Sequence, residues 1–186
     1  MYLIQVLRLV MFLTEDKLRR DDIIVILKKA GDILKTPITL VVVGGIISVL
    51  KFGNREMTHD IDCVQLIGEG NLNDIMDKLN SELNISISKF FNSAAKGFGK
   101  YNPVEPDILF EHNNLKLVPG SWYVQIINKL KRLGKTDTED IQVILNYLHN
   151  EKLISQEIIK QNLLSYIEDD YYDKCDIIQR INNLDF

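Results

Sequence analysis

An α+β fold, a small mixed β-sheet flanked by helices with a helical region at the C-terminal end, is predicted by three observations. The run Ile38-Thr39-Leu40-Val41-Val42-Val43 is short, β-branched and almost free of polar groups, and it stops at Gly44-Gly45. A second apolar run follows within twenty residues and opens on two acids, Asp60 and Asp62. From Ser121 onward the apolar positions recur at helical spacing.

Taken in order, the apolar run Tyr2 to Leu13 is broken by Gln5 and Arg8 and is not followed by a small-residue cleavage site. It is read as a helix or strand packed on the core rather than a signal peptide. Asp22 to Leu34 places Ile23, Ile26, Leu27, Ala30, Ile33 and Leu34 on one helical face, with Asp21 or Asp22 as its cap. Ile38 to Val43 is a strand buried on both faces. The two glycines that end it lack a Cβ, so the chain can turn sharply and a ligand can come close to the main chain. A short helix over Ile46 to Phe52 would present its first N–H groups, which have no partner inside the helix, to an anion.

The acidic strand is expected over Asp60 to Ile67. Residues two apart on a strand share a face and stand about 6–7 Å apart along it. Asp60 and Asp62 can therefore meet one ion while Ile61 and Cys63 face the other way. Oxygen ligands of this kind suit Mg²⁺ or Mn²⁺. Taken singly, Gly44-Gly45 is also explained by a plain turn, and Asp60-Ile61-Asp62 by a solvated strand end.

Asn71 to Leu83 is a further amphipathic helix. Beyond Ile85 to Ile87, the stretch Phe90 to Tyr101 mixes glycines, lysines and aromatics, and Gly97 and Gly99 suit a loop. Asp107 to Phe110 and Leu115 to Val118 read as a hairpin across His112-Asn113-Asn114. Helices are expected over Trp122 to Leu133, Thr138 to Asn150, Ser155 to Glu168 and Tyr171 to Asn183. Thr136 or Asp137 and Ser155 are their starting caps, and Gly134 is a stop. The expected division is 1–120 and 121–186, with a soft boundary near Pro119-Gly120.

Composition agrees with a compact chain. Its 186 residues are 46% hydrophobic and carry a net charge of −4, which argues against broad electrostatic binding to nucleic acid. Lys89, Lys96, Lys100 and Lys116 are a local basic group that could meet phosphate, or simply be solvated. Cys63 and Cys175 are too far apart in sequence for a redox motif, and His59, His112 and His149 do not form a zinc spacing. No apolar run reaches the ~20 residues a membrane span requires. A cytoplasmic protein without a membrane partner is expected.

The segment V-G-G-I-I-S, followed by R-E-M-T-H-D-I-D, resembles the nucleotidyltransferase superfamily that includes DNA polymerase beta and kanamycin nucleotidyltransferase. That pattern is an apolar strand, Gly-Gly or Gly-Ser, a short helix, then Arg, Thr or Ser, and Asp-x-Asp. The resemblance implies a nucleotidyltransferase core in which Asp60, Asp62 and a third acid hold two Mg²⁺ or Mn²⁺ ions. Asp107, ahead of an apolar run, is chosen as the third acid. Glu105 is its rival, separated from it by Pro106, and Glu111 is a weaker candidate. Gly44, Gly45 and Ser48 would hold the phosphates, with Arg55 and Thr58 also at the nucleotide.

Lys129, Arg132 and Asp137-Thr138-Glu139-Asp140 resemble a further motif of stand-alone bacterial members related to abortive-infection toxins. The resemblance would put Lys129 near the nucleotide phosphates and let Asp140 tie two helices together or reach the site. Without it, Lys129, Lys131 and Arg132 are a solvated helix face and Asp137 a helix cap. The implied activity is transfer of an NMP from an NTP to a hydroxyl of RNA, such as a tRNA end, of a protein or of a small molecule. A toxin with an antitoxin partner is one setting for it. A catalytically inactive nucleotide-binding or antitoxin-like module, and a purely structural role, are the other two readings.

Overall fold

The computed structural model of the protein describes residues 17–83, 90–93, 107–167 and 174–184. The expectations at Tyr2 to Leu13, Ile85 to Ile87, Lys89, Lys96, Gly97, Gly99, Lys100, Glu105 and the helix start at Tyr171 lie outside those residues. The chain divides into two compact units, Met1–Pro119 and Gly120–Phe186. The architecture is the mixed α+β one that the sequence predicts.

The first unit runs β1 (Leu18–Arg19), α1 (Arg20–Ile33), β2 (Ile38–Val43) and α2 (Gly45–Ile47, continued by a π-helical turn Ser48–Phe52). Then come β3 (Met57–Thr58), β4 (Ile61–Ile67), α3 (Leu72–Leu83), β5 (Phe91–Asn92), β6 (Phe110–His112) and β7 (Leu115–Pro119). One sheet has the order β5-β4-β2-β7-β6, and β1 with β3 forms a separate short ladder. β2 lies at its centre, antiparallel to β4 and parallel to β7. Its Leu40, Val41 and Val42 are fully buried, as an uninterrupted apolar run on an inner strand should be. Each such side chain removed from water contributes about 1.5–3 kcal/mol.

Pairing of β2 with β4 is not uniform. Thr39, Leu40 and Val41 face Ile67, Leu66 and Gln65, whereas Val42 and Val43 face Cys63 and Asp62. The extra residue, Val64, is a β-bulge. Had the outer register continued, Val43 would face Cys63; the bulge brings Asp62 opposite it.

Local expectations at α1 and at the hairpin are corrected. α1 starts at Arg20 without a side-chain cap, so Asp21 and Asp22 lie in its first turn and favour it through the helix dipole. The ladder of Leu18 with Thr58 and Arg19 with Met57 holds the chain extended up to that point. The hairpin strand begins at Phe110 rather than Asp107, and its turn is Asn113-Asn114, with Asn113 at φ 47°. Asparagine tolerates that left-handed conformation better than most side chains.

In the second unit, α4 (Trp122–Arg132), α5 (Asp137–Asn146, continued by a π-helical turn Tyr147–Glu151), α6 (Gln156–Ser165) and α7 (Lys174–Asn182) enclose Ile126, Leu130, Ile144, Leu145, Ile159, Leu163 and Ile181. Ser155 caps α6 as expected, its Oγ accepting from the Ile158 N–H at 3.4 Å. The left-handed residue that ends α4 is Leu133, at φ 42°, and not Gly134. Thr136 makes no side-chain cap bond to α5, and Asp137 is already its first helical residue. No described helix is long and apolar enough to cross a membrane.

α1 rests on the hairpin at Gly31, where a Cβ would run into the carbonyl oxygen of His112. Gly31→Ala raises helix propensity by about 1 kcal/mol, but the contact atom is backbone and must move. A net loss of about 1–3 kcal/mol is expected in urea denaturation, a sign opposite to the propensity change alone.

Candidate active site

The site begins where β2 ends. Gly44 adopts φ 78° and ψ −149°, a conformation essentially reserved for glycine, and its carbonyl accepts the Ile47 N–H at 3.3 Å as α2 starts. The next turn of chain is tightly enclosed. A Cβ on Gly44 would lie 2.9 Å from Asp62 Oδ2, and one on Gly45 would lie 2.8 Å from Thr58 Oγ1 and 3.5 Å from Arg55 Nη1. The glycine turn, one acid, the threonine and the arginine are therefore neighbours, and the missing side chains make the space between them.

β4 supplies Asp62, with Asp60 directly ahead of the strand, and the expected alternation holds at its start. Ile61 and Cys63 are buried, while Asp60 and Asp62 are partly exposed. Thr58 Oγ1 donates to the Asp60 carbonyl at 3.2 Å, which ties the loop to the strand start. Burial pushes the Cys63 thiol well up, and the Asp62 and Asp60 carboxylates push it further, so it stays a protonated core thiol.

Asn92 is a site residue that sequence reasoning missed. It pairs in register with Asp62, and its Nδ2 donates to Asp62 Oδ1 at 3.3 Å. Asn80 on α3 holds that edge strand through both main-chain groups of Phe91, at 2.8 and 2.9 Å. No local signal marks Asn92, because its role exists only through a strand pairing across some thirty residues.

Strand direction locates the candidate third acids. β6 runs against β7, and β7 runs with β2, so the chain ahead of β6 lies at the sheet end where β2 meets the glycine turn. Asp107 is there. Its Oδ1 pairs with Lys51 Nζ of the π-helical turn at 3.3 Å, and its side chain is 9% exposed. Glu111 faces Lys116 in the middle of the hairpin, and Lys116 faces Thr39 near the start of β2, so it lies away from the turn. Among the described residues, no three His, Cys, Asp or Glu side chains converge closely enough to hold a metal ion. Carboxylate oxygens such as those of Asp60 and Asp62 are the donor type that Mg²⁺ or Mn²⁺ takes; among the described residues Asp107 does not form a three-acid cluster with them. Ser48 is buried, at 3% exposure, and is the expected phosphate contact that the surface presents least.

Residues 20–183 match a family described as nucleotidyltransferase of unknown function (DUF6036). The chain belongs to that nucleotidyltransferase family. No curated protein and no solved structure matches it.

In this nucleotidyltransferase the Lys129 motif is an ion cluster of the second unit in which Lys129, Asp137 and Asp140 are buried and Arg132 is exposed. Lys129 Nζ donates to Asp140 Oδ2 and lies 3.7 Å from Asp137 Oδ1. Arg132 makes a two-pronged contact with Asp137, at 2.9 and 2.6 Å, and the Gly134 N–H donates to the same carboxylate at 2.6 Å. Lys129 is thus not part of a solvated face, and Asp137 does not cap α5. A side chain on Gly134 would stand 2.8 Å from Asp137 Oδ2, so glycine there leaves room for the cluster.

Burial is the largest single influence on the Asp137 carboxyl and would raise it, but the Arg132 hydrogen bond does not act against it alone. With the Gly134 N–H and the charges of Arg132 and Lys129, that bond holds the carboxyl below the usual carboxylate range. A lowered folded value stabilises the protein above the unfolded pKa of about 3.9 and is lost as pH falls below it. Asp137→Asn is expected to cost about 3 kcal/mol at neutral pH and to flatten the fall of melting temperature below about pH 4. A variant with an unchanged acid limb would show that Asp137 does not carry this dependence.

Gly44→Ala and Gly53→Ala separate strain from contact. Gly53 has φ 67° with nothing within 4 Å of its Cβ position, so alanine there costs about 1 kcal/mol of backbone strain. Gly44→Ala is expected to lose about 1–3 kcal/mol more in thermal melts, because its Cβ also meets Asp62.

Proposed function

We propose that the chain is an active, divalent-metal-dependent nucleotidyltransferase that transfers an NMP from an NTP to a hydroxyl acceptor. The observation that carries this reading is the enclosure of one acid, Asp62, against Gly44, with Thr58 and Arg55 against Gly45. Family membership supports the reaction class.

In this reading Asp60 and Asp62 hold Mg²⁺ or Mn²⁺, which on binding neutralises phosphate charge and makes the acceptor hydroxyl a better nucleophile. The main-chain N–H groups at Gly45 and the start of α2 receive the phosphates, helped by the helix dipole. Arg55 adds a guanidinium whose fork suits phosphate oxygens. Thr58, already bonded to the Asp60 carbonyl, positions the acid-bearing strand beneath them. Asn92 fixes the Asp62 carboxylate from the strand on the other side. The acceptor is a hydroxyl of RNA, protein or a small molecule, and an antitoxin-controlled toxin is one setting in which such transfer would be used.

Incubation of the purified protein with Mg²⁺, each labelled NTP, and RNA or cell extract tests this reading and identifies the acceptor by mass. Asp60→Asn/Asp62→Asn is expected to reduce transfer at least about a hundredfold with little change in melting temperature. Full transfer by that variant would overturn the metal assignment. A second reading, an inactive nucleotide-binding module, is favoured by the Lys51–Asp107 pair. It requires ATP binding that calorimetry finds independent of Mg²⁺, with no transfer to any acceptor.

A further inference from the structure

Lys51 has no place in the expected site, yet it reaches the acid chosen as third ligand. It stands on the turn Ser48–Phe52 that continues α2 out of the glycine turn, and its ammonium lies 3.3 Å from Asp107 Oδ1. Both side chains are shielded, at 22% and 9% exposure, so solvent screens the pair only in part. The Lys51 ammonium also lies 6.0 Å from the centre of the Phe52 ring, on the same turn.

We propose that Lys51 is a built-in counter-ion for Asp107 that competes with a divalent cation for this carboxylate. The proposal rests on the reading of Asp60, Asp62 and Asp107 as an acidic site. Asp107 lies at the sheet end that carries the glycine turn, yet the described residues form no three-acid cluster. Acids drawn together without a cation repel one another, and each is stable only if something positive neutralises it. At Asp107 the chain supplies that charge itself. An ammonium and a divalent ion cannot both sit against one carboxylate oxygen, because the two like charges would stand within about 4 Å. Binding of the cation to Asp107 as well as to Asp60 and Asp62 therefore either displaces Lys51 or sets two like charges across one carboxylate, and in both cases the intrinsic affinity is lowered.

The experiment is a titration of the whole protein with Mn²⁺ alone, followed by loss of the free-ion electron paramagnetic resonance signal. Wild type, Lys51→Met, Lys51→Gln, Lys51→Arg, Asp62→Asn and the double variant Lys51→Met/Asp107→Asn are compared. Thermal melts verify that each is folded. Removing the charge in Lys51→Met or Lys51→Gln is expected to tighten Mn²⁺ binding about tenfold. Lys51→Arg keeps the charge and should stay at the wild-type value. The double variant should lose the gain.

Unchanged or weaker binding in both neutral variants, with Asp62→Asn still weakening it, would overturn the role of Lys51 and leave the acidic site standing. A gain that persists in the double variant would also overturn it, since the competition would not be for Asp107. Failure of every variant to bind Mn²⁺, the neutral Lys51 variants included, would remove the metal reading and this inference together.

Discussion

The double pairing of β2 is the constraint on which the candidate site depends. One neighbour, β4, brings the acids alongside the glycine turn, with Asp62 opposite Val43. The other, β7, runs parallel to it and through β6 puts Asp107 at the same end of the sheet. Because β2 is sealed on both faces, its end is a fixed point from which the turn at Gly44 departs. Catalytic or binding groups on loops gain their precision from such an anchor. Here the anchor is a strand with almost no polar group, and the polar chemistry starts one residue after it ends.

The second unit solves a different electrostatic problem. Lys129, Asp137 and Asp140 are all nearly inaccessible, and charges in such surroundings are costly unless hydrogen bonds and opposite charges compensate them. The compensation is local: Arg132, four residues or fewer from Lys129 and Gly134, clamps the carboxylate that begins α5. The turn Leu133 to Thr136 is thereby fixed by charge rather than by a side-chain cap. Two helices that meet through a fully paired cluster have one preferred arrangement, since any slip leaves an ion stranded.

Much of this was legible in the sequence, and the exceptions have physical causes. β2, the glycine turn and the first residues of β4 could be read because the local pattern and the tertiary position demand the same residues: apolar within, glycine at positive φ, acids on alternate positions. Ser155 as a cap belongs to the same class. Alternation in β4 failed beyond Cys63, where it assigns Gln65 and Ile67 to the buried face although both are exposed. The bulge at Val64 reverses the phase, and no residue type announces it. Lys51 and Asn92 escaped because each acts through a partner far along the chain. Asp137 read as a capping residue, and Lys129 as a phosphate contact or part of a solvated face, since charge alone does not reveal burial. Leu133, although exposed, adopts a left-handed backbone that glycine next door would have adopted more cheaply, and nothing in its own residue type signals it.

The two elements that border the site each depart from a regular repeat. β4 carries one residue more than its partner, and the helix after Gly45 widens from α to π winding before Gly53 ends it. Both departures do for the site what a spacer does in a machine: they decouple two alignments that a uniform element would lock together. Beyond Val64 the strand keeps its own pairing with Thr39, Leu40 and Val41, while Asp62 stays in the shifted register opposite Val43. Past Ile47 the helix can follow the core at Val49 and Leu50 while Lys51 is carried round toward Asp107. π-turns cost stability and recur where function needs an offset in angle. The scaffold can therefore be repacked on its far sides by ordinary substitutions without rotating the charged groups, which makes the chemistry of this end separable from the upkeep of the core.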